Sequence, residues 1–386
     1  MRRKVQQLSR SLEEYTTLIF SSLVNLAFYR RKDLASAEIR RIAVIKLDHI
    51  GDVILSIPAV ANLRAHFPQA YIAMVVKSSS ESVARYIPYV DKILCYDARY
   101  FDRSRGGKML DLSRGMRFAR DMRNREFDLI VDLRGSFASL LFAMIAKSEH
   151  RVDRGTYLIQ RKSGKISPSS EHEAEVNLDI LARAGVPIRL REMFLELEKA
   201  DLDSVESLLR GDGELGLRSP VVVIHPGGPA SLKRWSAERY AQLACELMRE
   251  YSVRIVLVGG KGEKQIARSI VSQMNKQAID LSGRTTLGQL AAVFRKANLF
   301  IGNDSGPMHL AAACGTKVIG LFGPTSPQRF RPYGDNCIAL RMETDCPPCM
   351  REECKISEYR CIDTISVDDV MDTVRQMFPH SNSMEH

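Results

Sequence analysis

Leu299-Phe300-Ile301-Gly302-Asn303-Asp304-Ser305-Gly306-Pro307-Met308-His309-Leu310-Ala311-Ala312-Ala313-Cys314-Gly315 is the stretch that decides how this chain folds. The apolar run 299–301 predicts a buried strand, the polar turn after it a sharp reversal, and the small residues beyond a helix. Pro307 suits a first helical turn, where a missing N–H costs nothing, and Gly315 suits the stop. Such a corner aims unpaired amide N–H groups, the positive end of a helix dipole and the side chains of Asp304, Ser305 and His309 at one point. That point suits a phosphate-bearing ligand. The same residues also fit a plain strand–turn–helix corner in which Asp304 or Ser305 caps the helix.

Working outward, the alternation recurs. Residues 221–224, 254–258, 278–281 and 317–322 read as strands, with helices near 236–250, 263–275 and 286–296. An earlier series reads the same way, with strands at 41–47, 71–77, 92–96 and 127–133 and a helix over 53–66 in which Pro58 predicts a kink. Repeated βαβ units imply parallel sheets covered by helices on both faces. Between the two series, 155–215 is polar and reads as irregular, ending in Gly211-Asp212-Gly213-Glu214-Leu215-Gly216. The expected organisation is therefore an N-terminal segment (1–38) and two α/β Rossmann-like domains (39–212 and 213–386) facing a cleft. Ligands then belong at the carboxyl ends of the strands. Residues 366–378 predict a terminal amphipathic helix capped by Ser366.

A chain of 386 residues with 45% hydrophobic and 26% charged residues can bury real cores, which excludes a disordered protein. Its net charge of +10 favours acidic partners. Residues 15–29 form an uncharged run flanked by Arg2, Arg3, Lys4 and Arg10 on one side and Arg30, Arg31 and Lys32 on the other. That run is shorter than the roughly 20 residues a bilayer span needs. Its aromatic and cationic edges fit a helix lying on an anionic membrane surface, and equally a soluble packing helix. No small-residue cleavage site follows it, so a cytoplasmic location is expected, peripheral on the inner membrane face. The basic stretch 99–125 (nine Lys or Arg against three Asp) is a solvated surface or a landing site for an anionic acceptor. The aromatic–basic interleaving of a nucleic-acid motif is absent, so nucleic acid is not an expected partner. Cys95, Cys245 and Cys314 lie in apolar segments and read as buried thiols.

Three further places carry chemistry. His225-Pro226-Gly227-Gly228-Pro229-Ala230-Ser231-Leu232-Lys233-Arg234-Trp235 follows a strand: Gly227 and Gly228 let backbone amides approach an anion, and Lys233 adds charge. It reads otherwise as a solvated loop with a packing tryptophan. The first strand ends in Asp48-His49-Ile50-Gly51-Asp52, without the G-x-G-x-x-G of a dinucleotide fold, which counts against a dehydrogenase. Asp52 can take a proton from an attacking hydroxyl, although by chemistry alone its simplest role is to cap the next helix. Cys346, Cys349, Cys354 and Cys361 follow the spacing C-x2-C-x4-C-x6-C. Four thiols so close in a cytosolic chain favour a structural Zn, with an iron–sulfur cluster or paired disulfides as alternatives.

Taken together, Lys46 with Gly51-Asp52-Val53 and Pro58, the His225 to Trp235 turn, and Asp304-Ser305-Gly306-Pro307-Met308-His309 resemble glycosyltransferase family 9. These are the bacterial heptosyltransferases of lipopolysaccharide core assembly and their relatives. The resemblance implies a GT-B fold, with a nucleotide-sugar donor in the C-terminal domain and the acceptor in the N-terminal one. It implies Asp52 as general base, Lys233 on the donor phosphate, Asp304 on the donor sugar with His309 nearby, and Glu263 on the ribose. Gly227, Gly228, Ser305 and Gly306 complete the expected donor site, and Lys46, His49 and Arg134 are candidates on the acceptor side. The implied reaction moves a heptose from ADP-heptose to an anionic lipid-linked saccharide with inversion, without a divalent metal. The alternatives are a GT-B enzyme of other chemistry, such as a nucleotide-sugar epimerase, and, behind it, a basic non-enzymatic nucleic-acid-binding protein. The chain departs from the family pattern in its longer N-terminus and its cysteine cluster.

Overall fold

The computed structural model describes residues 34, 37–97, 112–136, 139, 145–146, 148–164, 170–210, 219–274, 278–344, 346–349, 351, 354 and 360–378. The expected N-terminal helix, part of the basic stretch 99–125 and the expected boundary residues 211–216 lie largely outside these. The chain divides into two compact units between Arg191 and Glu192. That division precedes the expected 212/213 boundary. The physical reason is the helix Lys199–Leu208, which packs on the helix Leu287–Lys296 of the second unit.

The first unit holds five parallel strands in the order β3-β2-β1-β4-β5: β1 (Arg41–Lys46), β2 (Tyr71–Val76), β3 (Lys92–Cys95), β4 (Leu129–Asp132) and β5 (His150–Asp153). β1 and β2 are buried along almost their whole length, as continuous apolar runs in a sheet covered on both faces must be. Two helices, α1 (Ile50–Ile54) and α2 (Ile57–His66), replace the single kinked helix expected over 53–66. Pro58 stands in the first turn of α2, where its missing N–H costs no hydrogen bond. The segment expected to be irregular also carries α3 (Arg154–Lys162) and α4 (Glu173–Ala182), whose N-termini Asp153 and His172 cap.

The second unit holds six parallel strands in the order β11-β10-β9-β6-β7-β8: β6 (Val221–His225), β7 (Arg254–Leu257), β8 (Ala278–Asp280), β9 (Leu299–Asn303), β10 (Lys317–Leu321) and β11 (Cys337–Leu340). Its helices are α5 (Lys199–Leu208), α6 (Ala237–Tyr251), α7 (Lys264–Gln273), α8 (Leu287–Lys296), α9 (Gly306–Ala313) and α10 (Val367–Met377). Ser366 caps α10 through a reciprocal capping box with Asp369. α10 closes the core against α6, with Ile365, Val370, Met371 and Val374 buried among Trp235, Tyr240 and Leu243. Each fully buried aliphatic side chain there contributes about 1.5–3 kcal/mol. Cys95 and Cys245 are exposed, contrary to expectation: Cys245 lies on the outward side of α6, where the 3.6-residue period turns it away from the core.

Strand order reverses between β1 and β4 in one unit and between β6 and β9 in the other. Open parallel sheets bind ligands at such switch points, beyond the carboxyl ends of the strands.

Candidate active site

The first switch point is a buried ionic cluster. Lys46, the last residue of β1, turns its ammonium inward to Asp48 Oδ2 at 3.4 Å and to the Leu133 carbonyl at 3.3 Å. Arg134, just past β4, donates to the other oxygen of Asp48. Burial alone would push Asp48 up, but Lys46, Arg134 and Arg154 hold its carboxyl below the usual range. Asp52, in the first turn of α1, goes the other way. Burial first, then the charge of Asp48, pushes it up to about 6, against the opposing pull of Lys46. Two neighbouring carboxylates with affinities driven apart are the pattern of an acid–base site. The cap position of α1 is held by exposed His49, which makes no side-chain capping bond.

Behind this cluster lies a pair that the sequence did not disclose. Arg154 opens α3 and Glu173 opens α4. They meet in a two-pronged salt bridge, Nη1 to Oε2 at 2.8 Å and Nη2 to Oε1 at 3.0 Å, with both side chains buried. Their charges reach Asp48 and Asp52. Lys46 was a candidate for acceptor contact, yet it is buried and its ammonium is engaged by the protein. Arg134, about a third exposed, keeps a solvent-facing side.

The second switch point gathers the remaining candidates. Asn303 ends β9 fully buried and uses all of its hydrogen-bonding capacity. Its Oδ1 accepts from the Trp235 amide at 3.1 Å and the Tyr240 hydroxyl at 3.0 Å, and its Nδ2 donates to the carbonyls of Pro226 and Gly227 at 2.9 and 2.8 Å. The glycine turn is therefore pinned from beneath. Glu263 pins it from the side: Oε1 accepts from the Gly228 amide at 3.0 Å, and Oε2 accepts from the Gly260 amide at 2.7 Å and contacts His225 Nε2 at 3.3 Å. A Cβ at residue 227 would lie 1.7 Å from Glu263 Oε1, so any larger residue there would displace the Glu263 carboxylate. Burial would push Glu263 up, but His225 and the Gly260 and Gly228 amides bring it down to about 2. The Gly228 amide expected to face a phosphate is thus given to Glu263, whose carboxylate is oriented and partly exposed.

Ser305 stands at the cap position of α9 without capping it; its hydroxyl lies 3.2 Å from His225 Nδ1 and donates to the Asn303 carbonyl at 2.9 Å. The start of α9, opened by Gly306, is thus left without a side-chain cap, a kind of helix terminus that suits an anion. Lys233 Nζ reaches Asp304 Oδ2 at 2.6 Å, and His309 lies buried in the helix just beyond. Sequence reading passed over His225 and Asn303 as site residues. Their signal was present, each being the polar end of an otherwise apolar strand.

The four cysteines of 346–361 are free thiols. Burial first, then the charges of Cys349 and Cys346, pushes the Cys361 thiol up. Cys354 is exposed. Among the described residues no three His, Cys, Asp or Glu side chains are gathered to hold a metal ion. No helix among them is long and apolar enough to cross a membrane.

Two doubly wound units, each with polar residues at its switch point, are the architecture of the GT-B fold. The chain belongs to glycosyltransferase family 9 (heptosyltransferase), whose model matches residues 115–360. It is 24% identical over 341 residues to lipooligosaccharide heptosyltransferase 2 of Campylobacter jejuni, covering 86% of this chain and 97% of that one. It is 26% identical over 322 residues to lipopolysaccharide heptosyltransferase 2 of Salmonella typhimurium, covering 79% and 88%. Among solved structures, a family 9 glycosyl transferase from Veillonella parvula superposes with a TM-score of 0.76 at 24% identity, over 89% of this chain and 98% of that one. The ADP-heptose lps heptosyltransferase II of E. coli superposes with a TM-score of 0.67 at 21% identity, over 87% and 98%.

Proposed function

We propose that this enzyme is an inverting heptosyltransferase that moves a heptose from ADP-heptose onto a lipopolysaccharide core or a related lipid-linked saccharide. The observation that carries the reading is the Lys233–Asp304 pair, 2.6 Å apart beside the uncapped start of α9 and the oriented Glu263 carboxylate. A nucleoside diphosphate sugar has the matching groups: ribose hydroxyls for Glu263, a diphosphate for Lys233 and the α9 amides, and a sugar for Asp304. The names of the relatives support heptose and lipopolysaccharide. The E. coli heptosyltransferase solved with ADP supports an adenine nucleotide.

In this mechanism Asp52 removes the proton of the acceptor hydroxyl while Asp48, held by Lys46 and Arg134, stays ionised. The oxygen bonds to the anomeric carbon from the face opposite the nucleotide, and the bond from that carbon to the phosphate oxygen breaks. ADP leaves with the electron pair, and its growing charge is met by Lys233 and the α9 amides. These groups supply the charge balance without a divalent metal. Arg134 and the basic surface attract the anionic acceptor, and the uncharged run 15–29 with its basic flanks rests on the inner membrane surface.

Cys346, Cys349, Cys354 and Cys361 would hold one structural ion, Zn or iron–sulfur, since thiolates are soft ligands and four of them leave no open position. What supports this set is the close spacing of the four thiols in the sequence, although among the described residues they are not gathered into a metal site. Metal content of the purified chain before and after Cys361→Ser tests it.

The function itself is tested with a panel of ADP-, UDP-, GDP- and CDP-sugars read by thermal shift and by transfer. ADP-heptose alone should stabilise the protein, and Asp52→Ala should abolish transfer while ADP still binds. Stabilisation by another nucleotide sugar but not by ADP-heptose would overturn the donor assignment.

A further inference from the structure

The end of the cysteine segment is joined to the donor turn by one side chain. Arg360 precedes Cys361, which opens the 3-10 turn Cys361–Thr364. Its guanidinium is gripped by Asp363, with Nε donating to Oδ2 at 2.8 Å and Nη2 to Oδ1 at 2.7 Å. That planar fork fixes the direction of the remaining nitrogen. Nη1 donates to the carbonyls of Ser231 and Arg234, both at 3.1 Å. These two carbonyls bracket Leu232 and Lys233.

The bracketed element needs such support. Ser231–Lys233 is a single 3-10 turn, closed by its own bonds from Lys233 N to Ala230 O at 3.0 Å and from Arg234 N to Ser231 O at 3.1 Å. An isolated 3-10 turn is weak. One end is tied by Arg234 Nε to Gly228 O at 2.7 Å and by the Trp235 amide to Asn303. From below, the Leu232 carbonyl presses on Gly323, where a Cβ would lie 3.0 Å from it and 3.1 Å from Ile362 Cβ. Arg360 closes the outer side, over the residue whose ammonium meets Asp304.

We propose that Arg360 is a positioning residue for the donor diphosphate: clamped by Asp363, it locks the backbone on both sides of Lys233 and so sets where the lysine ammonium stands. This rests on the reading of Lys233 as the phosphate ligand. Arg360 touches neither substrate nor reacting atoms. Its effect passes through Lys233.

The test is a double-mutant cycle on ADP affinity, measured by calorimetry on the full-length enzyme with wild type, Arg360→Ala, Lys233→Ala and the double variant. Arg360→Ala should weaken ADP binding about tenfold, the range for losing a charged hydrogen-bonding group. In the Lys233→Ala background the same change should have no further effect. A merely structural role would lower affinity equally in both backgrounds, and that result overturns the proposal, as does wild-type affinity in Arg360→Ala while Lys233→Ala has lost binding. Wild-type affinity in Lys233→Ala would overturn the Lys233 reading together with this proposal. Asp363→Asn, which frees the guanidinium without removing it, covers the case of an unfolded Arg360→Ala. It should weaken ADP about threefold, again only when Lys233 is present, and an equal loss in both backgrounds refutes the clamp.

Discussion

Replacing Asp52 by Asn should make the protein more stable and catalytically dead at once. Burial and the charge of Asp48 raise the Asp52 carboxyl from 3.8 to about 6. At about 1.36 kcal/mol per unit, that rise corresponds to about 3 kcal/mol of folded-state cost for the ionised form. The residue is half-buried and solvent relaxes part of the cost, so the recoverable amount is on the order of 1–2 kcal/mol. The sign follows from linkage. A folded-state carboxyl that binds its proton more tightly than the unfolded chain loses stability as pH rises from about 4 through about 6. Thermal unfolding of wild type and Asp52→Asn from pH 4 to 8 reads it directly. The variant should match wild type near pH 4 and unfold about 3–6 °C higher at pH 7.5, with the gap opening between. Transfer should fall by about 10² to 10⁴ in the variant, and the wild-type rate should rise with pH through about 6. A variant less stable than wild type at pH 7.5, or a gap that does not change with pH, would refute the reasoning.

Lys233→Ala should raise the donor KM and weaken ADP by about tenfold or more while leaving the unfolding temperature within a degree or two, checked by calorimetry and initial rates. Glu263→Gln should weaken ADP and also loosen the glycine turn. In wild type, the stability that Glu263 contributes is present above pH 4.5 and lost as pH falls toward about 2, so the difference between the two proteins should shrink in acid titrations. Asn303→Ala leaves four hydrogen-bonding partners without their mate and should cost about 2–4 kcal/mol in urea unfolding. Gly227→Ala should weaken ADP binding in a folded protein, because the new methyl displaces the Glu263 carboxylate.

The strands and their alternation with helices were legible because parallel sheets buried on both faces demand continuous apolar runs, and 41–46, 221–225 and 299–303 are such runs. β5 was not legible: His150-Arg151-Val152-Asp153 is polar in sequence and becomes a strand only because β4 offers its edge. The split of 53–66 at Leu55 and Ser56 and the helices of 155–215 were missed for a similar reason, since packing overrode weak local signals. In the site, Asp52, Lys233, Asp304 and Ser305 could be marked from their places after strands, and Glu263 only through the resemblance to the family. Their states could not.

The sequence alone determined where chain reversals fall, which polar residues stand at strand ends and which family pattern they spell, because these are properties of neighbours along the chain. Only the tertiary structure decided that Asp48 keeps its charge while Asp52 resists its own, that Glu263 is braced by His225 and two amides, and that Arg360 grips the Lys233 turn. Each of these depends on groups distant in sequence sharing a poorly solvated space. Electrostatic cost and hydrogen-bond geometry are set by distances across that space, and no local pattern of residues encodes them.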